Sequence, residues 1–293
     1  MSEYIPKITV VTPSYNQGQY LEKTILSVIS QNYPNLEYII VDGGSTDNSI
    51  EIIKKYEQHL AWWVSEPDRG QSHAINKGLV RSTGELLTWL NSDDWYMPGA
   101  LETFARLYLK HPEAGMFVGT GEILNKTGKI IFHKEPTNEI TLETLFNWLD
   151  GGDFMQPSSA FTRKAWIQAG QLDEEIHIAI DLDYWMRIAK CQFVFVTVNQ
   201  LLSQALSHET AKTTAFKNHM IVDAAIAIIR HGGEKWVRKH LDEMATKLSY
   251  LEPNYNKIVN NRLVKLLLPI AKVFIKPVVR YNEGFPSWTK DAE

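Results

Sequence analysis

Over its first hundred residues the chain alternates between two hydrophobic periods. "KITVVT" (Lys7 to Thr12), "LEYIIV" (Leu36 to Val41), "AWWVS" (Ala61 to Ser65) and "ELLTWL" (Glu85 to Leu90) are short apolar runs rich in β-branched and aromatic residues. Runs of this kind read as strands buried on both faces. Between them Leu21, Ile25, Val28 and Ile29 fall at helical spacing, and so do Ile50, Ile53 and Tyr56. Pro34 closes the first helix from outside, and Ser45, Thr46 and Asp47 offer N-caps for the second. Strands alternating with helices predict βαβ units and a mainly parallel α/β sheet with helices on both faces.

Further along the pattern loosens. From Ala114 to Pro157 it is mixed, with a hairpin expected around "NKTGK" and a helix from Thr141 to Leu149. "DLDYWMRIAK" opens another helix at Asp181, and after His208 helical periodicity runs to the end without strand signals. The 293 residues, at 44% apolar and 22% charged, suit an ordinary globular protein. A net charge of −4 gives no whole-chain case for nucleic acid. The single cysteine, Cys191, rules out an internal disulfide framework and fits a reducing compartment. "MSEYIPKITVVT" has neither the basic segment nor the long apolar core of a signal peptide, so a cytoplasmic location is expected.

A mainly parallel sheet binds ligands at the carboxyl ends of its strands. The residues there are Thr12-Pro13-Ser14-Tyr15, Asp42-Gly43-Gly44, Glu66-Pro67-Asp68-Arg69 and Asn91-Ser92-Asp93-Asp94. Three of these four strand ends carry carboxylates, which a purely structural sheet does not need. Adjacent like charges at Asp93 and Asp94 repel, and a Mg²⁺ or Mn²⁺ ion, typically held by one or two carboxylates plus phosphates and water, would relieve them. The competing reading is that the pair caps a helix starting near Pro98. At Asp42 the two following glycines let the backbone turn sharply beside a ligand. N-caps at Ser45 or Asp47 leave Asp42 itself unexplained. Neither GxGxxG nor a P-loop lysine is present.

Taken in order, "VVTPSYNQGQYLEKTILSVISQNYPNLEYIIVDGGSTDNS", "SEPDRGQSHAINKG" and "GELLTWLNSDD" resemble the GT-A glycosyltransferases of family 2. The likeness is continuous from about Ile8 to Asp94 and weaker through "QPSSAFTRKAW", "AIDLDYWMRIAK" and "LSHETAKTT". It implies a Rossmann-like domain over residues 1–210, its nucleotide-sugar half about 1–112 and its acceptor half about 113–210, followed by a helical extension over 211–293. It also implies a nucleotide-diphospho-sugar donor, UDP-linked by preference, a divalent metal (Mn²⁺ or Mg²⁺), inversion at the anomeric carbon, and a glycan or lipid-linked acceptor. Thr12, Pro13 and Tyr15 would line the nucleotide pocket, Asp42 would bind the base, and Asp68 would stand near base or ribose. Asp93 would face ribose or metal, and Asp94 would hold the metal with His208 as a further contact to metal or diphosphate. Asp181 takes the position of the catalytic base, with Asp183 as its alternative. Many family members carry acids where this chain has Asn91 and Ile180.

From Pro253 to Asn282 there are six Lys or Arg and no acids, interleaved with apolar residues. That composition suits a helix lying on an anionic membrane surface, and equally one packing its apolar side on the domain. The run from Leu263 to Val279 holds three lysines and two prolines and is too interrupted to span a bilayer. Two rivals to the transferase reading stand. One is a nucleotidyltransferase, which would need a glycine-rich basic loop after its first strand that "TPSYNQGQY" does not supply. The other is a catalytically silent nucleotide- or sugar-binding subunit of a membrane-associated assembly.

Overall fold

The computed structural model describes residues 4–209, 211–215 and 217–260, in two compact units, Met1–Val237 and Arg238–Glu293. The element order is β1 (Ile8–Ser14), α1 (Gly18–Ile29), β2 (Leu36–Asp42), α2 (Ser49–Lys55), β3 (Trp62–Ser65), α3 (Gln71–Arg81), β4 (Leu86–Trp89) and β5 (Asp94–Tyr96). There follow α4 (Ala100–Lys110), β6 (Ala114–Leu124), β7 (Ile130–Lys134), α5 (Leu142–Leu145), β8 (Ser159–Thr162), α6 (Arg163–Ala169) and α7 (Ile180–Lys190). The chain ends its described part with β9 (Val194–Leu206), α8 (Lys212–Ala215), α9 (Lys217–Arg230) and α10 (Glu234–Asn260). Of the basic stretch from Pro253 to Asn282, read above as a candidate for a membrane surface, the part beyond Asn260 lies outside the described residues.

All strands join one sheet in the order β3-β2-β1-β4-β8-β6-β9-β5, with β7 paired to β6. The expected parallel character holds for β1, β2, β3 and β4. Beyond β4 the sheet turns mixed, because β8 runs antiparallel to both β4 and β6, and β5 runs antiparallel to β9. Period-two alternation sends Val10, Tyr38, Ile40 and Leu86 to one face, under Leu21 and Ile25 of α1, Ile53 of α2 and Phe104 of α4. Val11, Ile39, Val41 and Leu87 go to the other, under Ile75 of α3, Trp166 of α6, Tyr184 and Trp185 of α7, and Ile228 of α9. With both faces covered, every residue of β1 is buried.

Several expectations are refined. The helix foreseen over Thr141–Leu149 is one turn, α5, with a Thr141–Thr144 capping box, followed by a 3₁₀ turn at Trp148–Asp150. The N-cap of α2 is Asn48; Asp47 instead accepts N–H bonds from Ser49 (3.0 Å) and Gly18 (2.9 Å), tying α2 to α1. The hairpin around "NKTGK" is the β6–β7 turn, where Asn125 accepts from Thr127 and Lys129.

Candidate active site

The nucleotide side of the rim is built by register. Ser14 pairs with Asp42, and Asp42 with Ser65, so β1, β2 and β3 finish level. Asp42 is buried, and its Oδ2 accepts the N–H groups of Gly44 (3.1 Å) and Ser45 (2.8 Å) and the Ser65 hydroxyl (2.7 Å). Its Oδ1 accepts the Ser45 hydroxyl at 2.5 Å. The carboxylate therefore has the structural task that the sequence left unexplained: it folds the loop, with Gly44 in the left-handed region at φ 83°. Gly43 then matters for another reason. A Cβ there would stand 2.7 Å from Asp68 Oδ2 and 3.3 Å from the Tyr15 ring. Without it, Tyr15, 60% exposed, and half-buried Asp68 converge over bare backbone.

Thr12 leaves this group. It shares the Val10 face of β1, is fully buried, and its hydroxyl meets the Tyr38 hydroxyl at 3.1 Å. Strand alternation thus turns the Thr12 side chain into the core, away from any pocket. Pro13 is also buried, opposite Val41.

Next along the rim comes the acidic pair. Asp94 starts β5 rather than capping α4, whose N-cap is Gly99, so the helix-cap reading fails. Thr24 of α1 donates to the carbonyls of Ser92 (2.9 Å) and Asp94 (2.7 Å), fixing the turn from behind. Burial pushes the Asp94 carboxyl well above its ordinary range, and the neighbouring Asp93 charge pushes it further; the Asn91 amide, 3.0 Å from Oδ2, pulls the other way. Asp93 meets His208 Nε2 at 2.9 Å, and the buried His208 ring rests on Tyr20 with centroids 4.5 Å apart. His208, expected as a contact to metal or diphosphate, thus stands against the carboxylate of Asp93, next to Asp94.

Asn91 sits inside an amide chain. Gln71 Nε2 donates to Asn91 Oδ1 (2.7 Å), Asn91 Nδ2 reaches Gln156 Oε1 (3.4 Å) as well as Asp94, and Gln156 Nε2 donates to the Trp89 carbonyl (2.9 Å). This chain fixes the Asn91 amide so that it offers Asp94 a donor. Gln71, Tyr20 and Thr24 went unnoticed in the sequence, because single polar residues on helices carry no periodic signal.

Asp181 and Asp183 share the first turn of α7 and differ in every other respect. Asp181 is half-buried, accepts the Leu182 N–H (2.8 Å), and is pushed up to about 6 by burial, with backbone N–H groups working the other way. Asp183 is buried between Arg187 Nε (2.9 Å) and His231 Nε2 (2.9 Å). Burial works against its charge, yet the His231 hydrogen bond and the Arg187 charge hold it below the usual carboxylate range. Arg187 also donates to the Ala169 and Gln171 carbonyls, so Asp183 is the hub that ties α6, α7 and α9. A carboxylate so engaged is a poor proton acceptor, and Asp181 is left as the base candidate. Near it, Lys212 Nζ donates to the His177 carbonyl (3.2 Å), and Arg69 clamps Glu174 (2.6 Å), joining the Asp68 loop to the segment before α7.

Among the described residues no group of three or more His, Cys, Asp or Glu is arranged as a metal cage. A Mg²⁺ or Mn²⁺ that takes one or two carboxylates and completes its shell from phosphates and water requires none. Asp94, buried beside a second carboxylate and holding a single amide donor, is a carboxyl whose ionised form is costly, and such an ion would remove that cost.

Comparison with known proteins now bears on this rim. The Glycosyl transferase family 2 model matches residues 9–170. An uncharacterized glycosyltransferase of Rickettsia typhi is 24% identical over 226 residues, 74% of this chain and 69% of that protein. The chondroitin synthase of Pasteurella multocida is 26% identical over 225 residues, and there the chain spans only 23% of the relative's length. S. aureus TarS, solved in complex with UDP, superimposes with a TM-score of 0.60 at 17% identity, over 88% of this chain and 77% of that one. A mannosyltransferase from Pyrobaculum calidifontis, solved with GDP-Man and Mn²⁺, gives 0.63 at 19% identity over 92% and 81%. The sheet order, the strand-end acids and these matches agree, and the chain belongs to glycosyl transferase family 2, with a GT-A fold.

Proposed function

We propose that this chain moves a sugar from a nucleotide-diphospho-sugar, UDP-linked by preference, to an acceptor hydroxyl with inversion, in polysaccharide or cell-surface glycan synthesis. The observation that carries the proposal is the acidic pair at the strand end: Asp94 is buried beside Asp93 with one amide donor, so its charge is costly until a cation arrives. Asp181, at the start of α7, is pushed up to about 6 by burial and supports the reading as a base. The complexes of similar proteins with UDP, or with GDP-Man and Mn²⁺, support a nucleotide-sugar donor.

In this reading Tyr15 and Asp68 flank the base and ribose over Gly43, and Asp42 keeps that loop in shape from beneath. Asp94 would hold the divalent ion, with Asp93 and its partner His208 beside it; a bound ion would offset charge developing on the departing diphosphate. Asp181 takes the proton of the attacking hydroxyl. Near neutral pH a carboxylate with a value of about 6 is mostly ionised yet more basic than an ordinary aspartate, which suits a general base. One such base suffices for inversion by direct displacement, unlike the carboxylate pair of a glycosidase. Among the described residues no helix is long and apolar enough to cross a membrane.

Calorimetric titration with UDP, with and without Mn²⁺, tests the donor site. Binding that needs the ion and vanishes in Asp94→Ala is the expected result, followed by transfer from UDP-sugars. UDP that fails to bind under either condition would remove the UDP assignment. Donor binding with no turnover for any sugar would leave the silent binding subunit.

A further inference from the structure

The β6–β7 hairpin carries an apolar surface that the catalytic reading does not use. Ile130, Ile131 and Phe132 are consecutive and 48, 52 and 43% exposed. They lie on β7, which has β6 as its sheet partner. From Ile123 to Lys134 the chain holds Lys126, Lys129, His133 and Lys134 and no acid, within a protein whose net charge is −4. Lys126 and Lys129 are exposed, and the ion pair Lys126 makes with Glu209 is long, at 3.8 Å, and solvent-facing. Single exposed apolar residues need no explanation, but three in a row do; the register slips beside Ile131, so they span a bulge, with Lys126, Lys129 and Lys134 close in sequence and His133 paired to Glu122 and Glu135.

The hairpin is also placed with respect to the site. Asp94 pairs with Ala205, Ala205 with Ile123 and Ile123 with Phe132, so Phe132 sits on the same rung as Asp94, on the same face, three strands away. At ordinary strand spacing that is about 14 Å across the sheet. The next rung, on the opposite face, is stitched by side chains: Trp95 Nε1 to Gln204 (2.9 Å), Gln204 to Glu122 (2.7 Å) and Glu122 to His133 (3.1 Å). At the turn of the hairpin, a recess of about 300 Å³ opens between residues 125–127 and residues 207–209, with His208 in its wall.

We infer that the β6–β7 hairpin docks on an anionic lipid surface, with Ile130, Ile131 and Phe132 at the level of the headgroup boundary and Lys126, Lys129 and Lys134 against lipid phosphates. Apolar residues backed by lysines give such surfaces both their hydrophobic and their electrostatic contribution. Edge-to-edge pairing of two copies through β7 is disfavoured by the same lysines, which natural proteins use to keep strand edges apart. Docking in this way would hold the recess and His208 near the plane where a lipid-linked acceptor presents its head. The inference does not depend on the donor assigned above, since a hairpin can bind lipid whatever the site transfers.

The test is flotation of the full chain with vesicles of mixed phosphatidylglycerol and phosphatidylcholine, and with phosphatidylcholine alone. Ile131→Glu/Phe132→Glu is compared with Lys126→Ala/Lys129→Ala/Lys134→Ala and with the unaltered chain. Binding to the anionic vesicles alone, weakened roughly tenfold or more by each set of changes, is expected. UDP titration and thermal melting should stay the same, since the altered side chains face solvent. Equal flotation of all three proteins would assign membrane contact elsewhere and overturn the inference, as would no flotation at all. Loss of a dimer in the Ile131→Glu/Phe132→Glu protein would identify a second copy as the occupant instead.

Discussion

Asp42 and Asp94 are both buried aspartates at strand ends of one sheet, and the chain treats them in opposite ways. Asp42 receives two N–H and two hydroxyl donors from its own loop and from Ser65. Asp94 receives one amide donor and faces a second acid. The same contrast recurs two residues apart on α7, where Asp183 is held by Arg187 and His231 while Asp181 is met by backbone N–H groups. A saturated carboxylate fixes structure, whereas a starved one is held ready for a charge or a proton from outside. In the proposed reading, the base-binding side of the rim is built in advance and the transfer side is completed by the substrate.

Exchanging the members of each pair gives the sharpest tests. Asp181→Asn should cost the most in turnover, about 10²- to 10⁴-fold in kcat, with UDP binding by calorimetry unchanged. An equal loss in Asp183→Asn with normal melting would move the base to Asp183. Asp94→Ala should weaken Mn²⁺-dependent UDP binding by about 100-fold, and Asp42→Ala should leave part of it.

On stability the order reverses. Asp183→Ala strands a buried Arg187 and His231 and should cost about 3 kcal/mol in denaturant titration. Asp42→Ala frees several loop donors and should cost about 2–3 kcal/mol. Asp181→Asn should be stabilising near neutral pH. Burial raises the folded value of Asp181 from 3.8 to about 6, so the folded state keeps the proton longer than the unfolded chain. Its ionisation therefore costs stability as pH climbs between those values, about 3 kcal/mol at most once complete. Melting curves from pH 4 to 7 should show a shallower decline in Asp181→Asn than in the unaltered protein, the rest coming from Asp94, and kcat should fall in the opposite direction, below pH about 6. The smallest effect belongs to Tyr15→Ala, a solvent-facing ring: roughly fivefold weaker UDP binding and unchanged melting.

Much of this contrast was legible in the chain. The four parallel strands, α1 and α2 follow from apolar runs and helical spacing, and the strand-end rule then pointed at Asp42, Asp68, Asp93 and Asp94. What stayed hidden is local in sequence and determined by distant partners. β5 is three residues, too short for any period, and exists because β9 pairs with it. Thr12 looked like a rim residue because it ends an apolar run, but its phase on β1 points it at Tyr38. Asp183 could not be told from Asp181 while His231, 48 residues on, was unplaced. The mixed pattern from 114 to 157 hid an eleven-residue β6 because its glycines, 115, 119 and 121, interrupt the apolar run.

The dependence of β5 on β9 sets an order of assembly. Within the described residues the sheet partner of Asp94 is Ala205, and the partner of Asp93 is His208, 115 positions further along. A chain emerging from the ribosome can pair β1 through β4 long before either arrives. The acids reach their final positions only when the strand from Val194 to Leu206 threads between β6 and β5, so a chain cut short before it would carry the Asp42 loop without a settled Asp93–Asp94 turn.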